Sequence, residues 1–182
     1  MTLTLVEPAI EFPVTLADVK LLAGVLNNTF DNLLDSFIPA ACQMVEEHVG
    51  LSLSTQTWSV ALPCFEEALD LPRGPVQGVT SIKYYEAAGE LLTVDPSVWS
   101  LDLVNRPPRV IRTPTKVWPI PGCHPEPIRV VYVAGYTAAD EVPALLRSAI
   151  TSLVAHWFET RVIGDLPDGI RRALSPFRRI CI

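Results

Sequence analysis

The chain has only three histidines, His48, His124 and His156, and four scattered cysteines, Cys42, Cys64, Cys123 and Cys181. None of them stands in a C-x-x-C or H-E-x-x-H pattern, the local spacing from which zinc sites are commonly built. The cysteines are too dispersed for a secreted disulfide framework, and no signal-peptide pattern precedes them. Reduced thiols in a cytoplasmic setting are therefore expected. The chain also lacks G-x-S-x-G, G-x-x-x-x-G-K-[ST] and G-x-G-x-x-G, so the nucleophile elbow, the phosphate loop and the dinucleotide fingerprint are excluded. The neighbouring acids Glu46–Glu47 and Glu66–Glu67 diverge on any helix or strand and form no shared-proton dyad. No apolar run approaches the ~20 residues that cross a bilayer, and no membrane partner is expected.

Basic residues are scarce where acids are dense. Residues 1–70 hold ten acidic groups against Lys20 alone, a balance of −9, while residues 71–182 hold thirteen basic and ten acidic groups, a balance of +3. The closing stretch "GIRRALSPFRRICI" carries Arg171, Arg172, Arg178 and Arg179 with no acid. Guanidinium groups suit phosphates or carboxylates, but a short basic end on an acidic protein reads as a docking segment or a solvated end before it reads as a nucleic-acid contact.

What is present points to one α+β domain in three parts. The 182 residues are enough to bury roughly 70% of the unfolded surface without disulfides or metal. In the first part, 1–52, Thr15 and Asp18 have capping-box spacing ahead of a short helix over 16–24. Phe30, Leu33, Leu34, Phe37, Ile38, Ala41, Val45 and Val49 then follow helical spacing, with Gly50 as the stop and a kink expected at Pro39. Asp31, Asp35, Glu46 and Glu47 make the polar side of that helix acidic.

From 53 to 135 the period changes to two. "TWSVALP", "VTSIKYYEAAGELLTV" with Gly89 at its turn, "SVWSLDL" and "IRVVYVAGY" read as strands of a small, mostly antiparallel sheet. The proline-rich run between the last two permits a strand only at "RVIR". In the third part, 140–182, Leu146, Ala149, Ile150, Leu153 and Trp157 share one stripe of a long helix that starts near Pro143. A short tail helix follows around 167–176. His156 falls on the flank of the stripe and Glu159 is turned toward the polar side, an arrangement that reads as packing. An alternative is a small α+β metal- or ligand-binding domain that gathers Cys123, His124 and His156.

The ordered set "PVTLADVK", "VEEHVGLSLSTQTW", "LPRGPVQGVTSIKYYEAAGE", "VYVAGYTAADEVPALLRSAITSLVAHWFETR" and "LSPFRR" resembles the head-to-tail connector, or adaptor, family of long-tailed bacteriophages and gene-transfer agents. The resemblance spans almost the whole chain, and Pro39 departs from the family's uninterrupted helix. It implies a non-enzymatic virion protein of the neck, present in the host cytoplasm before assembly, that needs no cofactor. It further implies a twelve-fold ring under the portal protein. Such a ring continues the DNA channel, passes DNA without sequence-specific binding, and recruits the next neck protein, a stopper or tail terminator. Carried onto this sequence, the portal-gripping segment corresponds to Leu174, Ser175, Pro176, Phe177, Arg178 and Arg179, preceded by Arg171 and Arg172. The acidic helix positions, with Arg106, Arg109 and Arg112, are the candidates for inter-subunit or channel-facing charges. A mobile tail that can be removed without loss of the fold is also expected.

Overall fold

The computed structural model describes residues 1–105 and 107–178. The chain divides into two compact units, one of residues 1–9 and 55–135, the other of residues 10–54 and 136–182. Its elements in order are β1 (Thr2–Glu7), α1 (Leu16–Ala23), α2 (Asp31–Val49), β2 (Gln56–Leu62), β3 (Ala68–Asp70), β4 (Val76–Tyr85), β5 (Leu91–Thr93), β6 (Trp99–Asp102), β7 (Arg109–Arg112), β8 (Ile128–Ala134), α3 (Ala144–Thr160) and α4 (Asp168–Leu174). The α+β class and the succession of helices, antiparallel strands and helices agree with the periodicities. The division into units differs from one domain in three parts: residues 1–9 join the sheet as a strand, and the first and last helical parts share one unit.

In the sheet unit, β1-β2-β8-β4-β5 form one sheet and β3-β7-β6 a second, with every pairing antiparallel. β8 lies between β2 and β4, opposing Trp58 to Tyr132 and Ile82 to Val130. Gln56, Trp58, Val60 and Leu62 of β2 are buried while the residues between them are half-exposed, as a period of two requires. Tyr132 is fully buried, and its hydroxyl accepts from the Arg73 backbone N–H at 3.3 Å. The Arg73 guanidinium lies 5.0 Å from the Trp58 ring centroid, so a buried cation faces an aromatic face. Periodicity missed β1 and β3. β1 is an edge strand that exposes Leu5 and Val6 on opposite faces, and β3 has three residues, too few for alternation to register.

In the helical unit, Thr15 caps α1 through the expected box, its side chain accepting from the Asp18 N–H while the Asp18 carboxylate accepts from the Thr15 N–H at 2.9 Å. Gly24 at φ +67° and Gly50 at φ +71° end α1 and α2 in the left-handed conformation that glycine adopts without strain. α2 continues through Pro39 as one helix, although that proline has no N–H to give the carbonyl four residues back. Its buried residues Leu34, Ile38, Ala41, Val45 and Val49 join Leu146, Ala149, Ile150, Leu153 and Trp157 of α3 in one core. Phe37 meets Trp157 edge-on at 6.0 Å. Arg161 closes α3 at φ +60° with its guanidinium 4.8 Å from the Phe158 ring centroid and 5.3 Å from that of Phe30.

Candidate interaction surface

The C-terminal segment is two-faced. Pro167 leads into α4, and a single 3-10 turn, Ser175–Phe177, follows it. Leu174 is 0% exposed within the helical core, and Ile170 and Phe177 pack partly buried against that core. Arg171 donates from Nη2 to the Leu166 carbonyl at 3.3 Å. Arg172, Ser175, Pro176 and Arg178 are exposed. This corrects the expectation of a loose, dispensable tail. Spacing alone made Leu174 and Phe177 look free, but both apolar groups are used to seat the segment on its own unit. Arg179 and Cys181 lie outside the described residues.

The charges assigned to the acidic helix separate by environment. Asp31 pairs with Lys20 at 2.7 Å, and Asp35 and Glu47 are exposed. Glu46 is buried and accepts from the Leu53 N–H at 2.6 Å. It is a fold-closing group, since a carboxylate taking up a loop amide replaces the water it loses on burial. Arg109 pairs with Asp102 at 3.3 Å, and Arg112 donates to the Lys116 carbonyl. Hydrogen bonding from Asn105, followed by backbone N–H groups and Arg109, holds the Asp102 carboxyl below its ordinary value. Arg106 lies outside the described residues. The charge contrast between the sequence halves does not survive folding. The sheet unit has nine acidic and seven basic residues, −2, and the helical unit eleven and seven, −4.

The metal alternative finds no cluster. Cys123 and His124 are exposed in the sheet unit, where the His124 ring stacks on Tyr85 at 4.7 Å and its Nδ1 accepts from the Glu126 N–H at 3.2 Å. His156 is exposed on α3 of the helical unit. Among the described residues no three of His, Cys, Asp or Glu are grouped to hold a metal ion. His156 does not close the flank of the core, and no hydrogen bond or ion pair joins it to Glu159.

An open groove of about 450 Å³ lies between α1 and α3. Leu21 and Leu22 of α1 stand on one side, 85% and 56% exposed, and Arg147, Ser148 and Thr151 of α3 on the other. Asp18 lines it as well, its carboxyl held below the ordinary 3.8 first by the Thr15 hydroxyl, then by the Thr15 backbone, with the field of Arg147 a smaller cause. The Arg147 Nε is buried with no hydrogen-bond partner among the described residues. The adjacent leucines of "VKLLAG" were the available signal. A helix that buries Val19 cannot also turn both of them inward.

No family model matches the chain, and no curated protein matches it. Among solved structures, its fold recurs along the whole chain in components of gene transfer agent (GTA) particles. A chain from the neck of an empty GTA particle computed with C6 symmetry has a TM-score of 0.80 at 21% identity, covering 100% of this chain and 97% of that one. A chain of the virion of a native GTA particle gives 0.81 at 21% identity, with the same coverage of 100% and 97%. A chain from the neck of a native GTA particle computed with C12 symmetry gives 0.72 at 23% identity, again covering 100% and 97%. The chain thus has the fold of these particle components through both of its units.

Proposed function

We propose that this chain is a structural, non-catalytic head-to-tail adaptor of a gene-transfer-agent or phage-like particle. The observation that carries the reading is the fold shared with GTA neck chains over 100% of this chain and 97% of those. The C6 and C12 symmetry of those necks supports assembly of this chain as a ring, most simply twelve-fold, in the particle neck. Its upper partner is the portal protein and its lower partner the next neck protein. DNA passes through the ring without sequence-specific binding, which suits two units that are each net acidic.

The portal-docking surface is the outward face of the C-terminal segment. Arg172 and Arg178, with Arg171 and with Arg179 that follows in the sequence, pair with carboxylates of the portal, and Pro176 sets the direction of approach. Leu174 and Phe177 hold that face in place from below. Asp35 and Glu47, both exposed on α2, are the charges proposed to meet a channel wall or a neighbouring subunit.

The test uses particles made with the full-length chain or with Arg172→Glu and Arg178→Glu combined. The variant is expected to melt with the wild type but to be missing from purified heads, which stay filled with DNA and tailless. Normal incorporation of the variant overturns the docking surface. Absence of the wild-type chain from the neck, seen by electron microscopy, overturns the whole reading.

A further inference from the structure

The α1–α3 groove holds an arginine whose Nε has no hydrogen-bond partner among the described residues. Arg147 makes no side-chain hydrogen bond or ion pair among the described residues, and its Nε is out of contact with water. A buried donor left unpaired carries a desolvation penalty, which an acceptor entering the groove relieves. Asp18 acts on Arg147 only through its field and makes no hydrogen bond to that Nε; its Oδ2 accepts from the Thr15 N–H at 2.9 Å and the Thr15 hydroxyl at 2.7 Å. The exposed Leu21 and Leu22 define the rest of the occupant, which must present an aliphatic group together with a carboxylate.

Such a segment exists on the same unit, beyond the other end of α3. In "RVIGDLPD", Val162 and Ile163 are 62% and 59% exposed, and exposed Asp165 makes no hydrogen bond or ion pair among the described residues. The segment is held in shape. Trp157 donates from Nε1 to the Gly164 carbonyl at 3.2 Å, and buried Leu166 anchors its far side. A loop fixed in advance loses little conformational freedom on docking. From Ser148 to Thr160, where α3 ends, the helical rise amounts to roughly 18 Å, so the groove and the loop do not overlap.

We infer that the Val162–Asp165 loop of one copy of this chain docks in the α1–α3 groove of the next, its aliphatic pair on Leu21 and Leu22 and its Asp165 carboxylate on Arg147. This rests on the ring reading above and names the contact that builds the ring. Two complementary patches at opposite ends of one rigid helix make a heterologous, head-to-tail interface, the kind that closes into rings. A two-fold dimer needs one self-complementary patch instead.

The experiment uses the full chain with Cys64, Cys123 and Cys181 replaced by Ser. Ser148→Cys and Ile163→Cys are introduced singly and together, and purified chain and purified particles are oxidised. The double variant is expected to yield a ladder of covalent oligomers, and each single variant none beyond a dimer. In parallel, Arg147→Glu or Asp165→Arg alone should weaken self-association at least about tenfold by mass photometry, and the two together should restore it.

Rings that form in the wild type but neither cross-link nor respond to the charge reversals overturn this interface and leave the adaptor reading intact. Single reversals that weaken association without rescue by the pair also overturn it, since the groove then receives another partner. A wild type that self-associates neither free nor in particles overturns both readings.

Discussion

In the sheet unit, β2, β4 and β8 come from positions far apart in the chain, yet each carries its burial pattern within its own few residues. In the helical unit, α2 and α3 also meet across a long separation, each burying one apolar stripe of its surface. The first unit is specified by pairing and register, the second by the fit of two apolar stripes. Alternation tolerates an added edge, which is how β1 joins unannounced. A helix core takes in whatever apolar residue completes its closure, which is how Leu174 is drawn in. Damage should accordingly be graded, most severe where one large side chain bridges several helical elements.

The sharpest break is Trp157→Ala, which empties the centre of the helical core, removes the edge contact with Phe37 and frees the Gly164 carbonyl. A loss of about 3–5 kcal/mol in urea unfolding is expected. Leu174→Ala should cost about 2–4 kcal/mol by the same measurement, because a fully buried side chain leaves a cavity. A cost near zero would return the C-terminal segment to the status of a loosely attached tail. The counterpart in the sheet unit is Gly122→Ala. Its added Cβ would lie 2.3 Å from the Glu86 carbonyl oxygen, a backbone atom beside the β4–β5 turn. A loss of roughly 1–3 kcal/mol follows from overpacking, and unchanged melting would mean that the loop yields.

Thr15→Ala should cost about 1 kcal/mol through the lost cap of α1. Its pH dependence has a definite sign. The Asp18 carboxyl is depressed below 3.8, first by the Thr15 hydroxyl, so this stabilisation is complete above that value and is lost as pH falls through the folded-state pKa. The gap between wild type and Thr15→Ala should therefore narrow in acid below pH 3.8, and a gap that widens there would contradict the cap. The smallest perturbation is chemical labelling. Burial, with Glu46 nearby, pushes the Cys42 thiol up to about 12, while Cys64 and Cys123 are exposed. A thiol reagent at neutral pH should modify Cys64 and Cys123 quickly and reach Cys42 only on unfolding.

The elements that periodicity located were those whose burial repeats within a few residues of themselves. The Thr15–Asp18 box, the stripes of α2 and α3 and the alternation of β2 are all of this kind. The candidate surface was half legible. The arginines were plain in the sequence, but which of them face outward was not. Glu46 shows the reason most directly. Beside Glu47 it reads as one of two equivalent surface acids, and in the fold it is buried and accepts from the Leu53 N–H of the returning chain.

What the sequence determined by itself was the α+β class, the places where its period changes, the lack of familiar catalytic motifs and the density of arginine at its end, all properties of short windows or of composition. The tertiary structure alone decided that residues 1–9 complete a sheet, that Leu174 lies at 0% exposure, that both units are net acidic, and that a groove forms between α1 and α3 with Arg147 Nε unpartnered. These depend on which distant segments come together, and burial, pairing and desolvation act on that proximity instead of on neighbourhood along the chain.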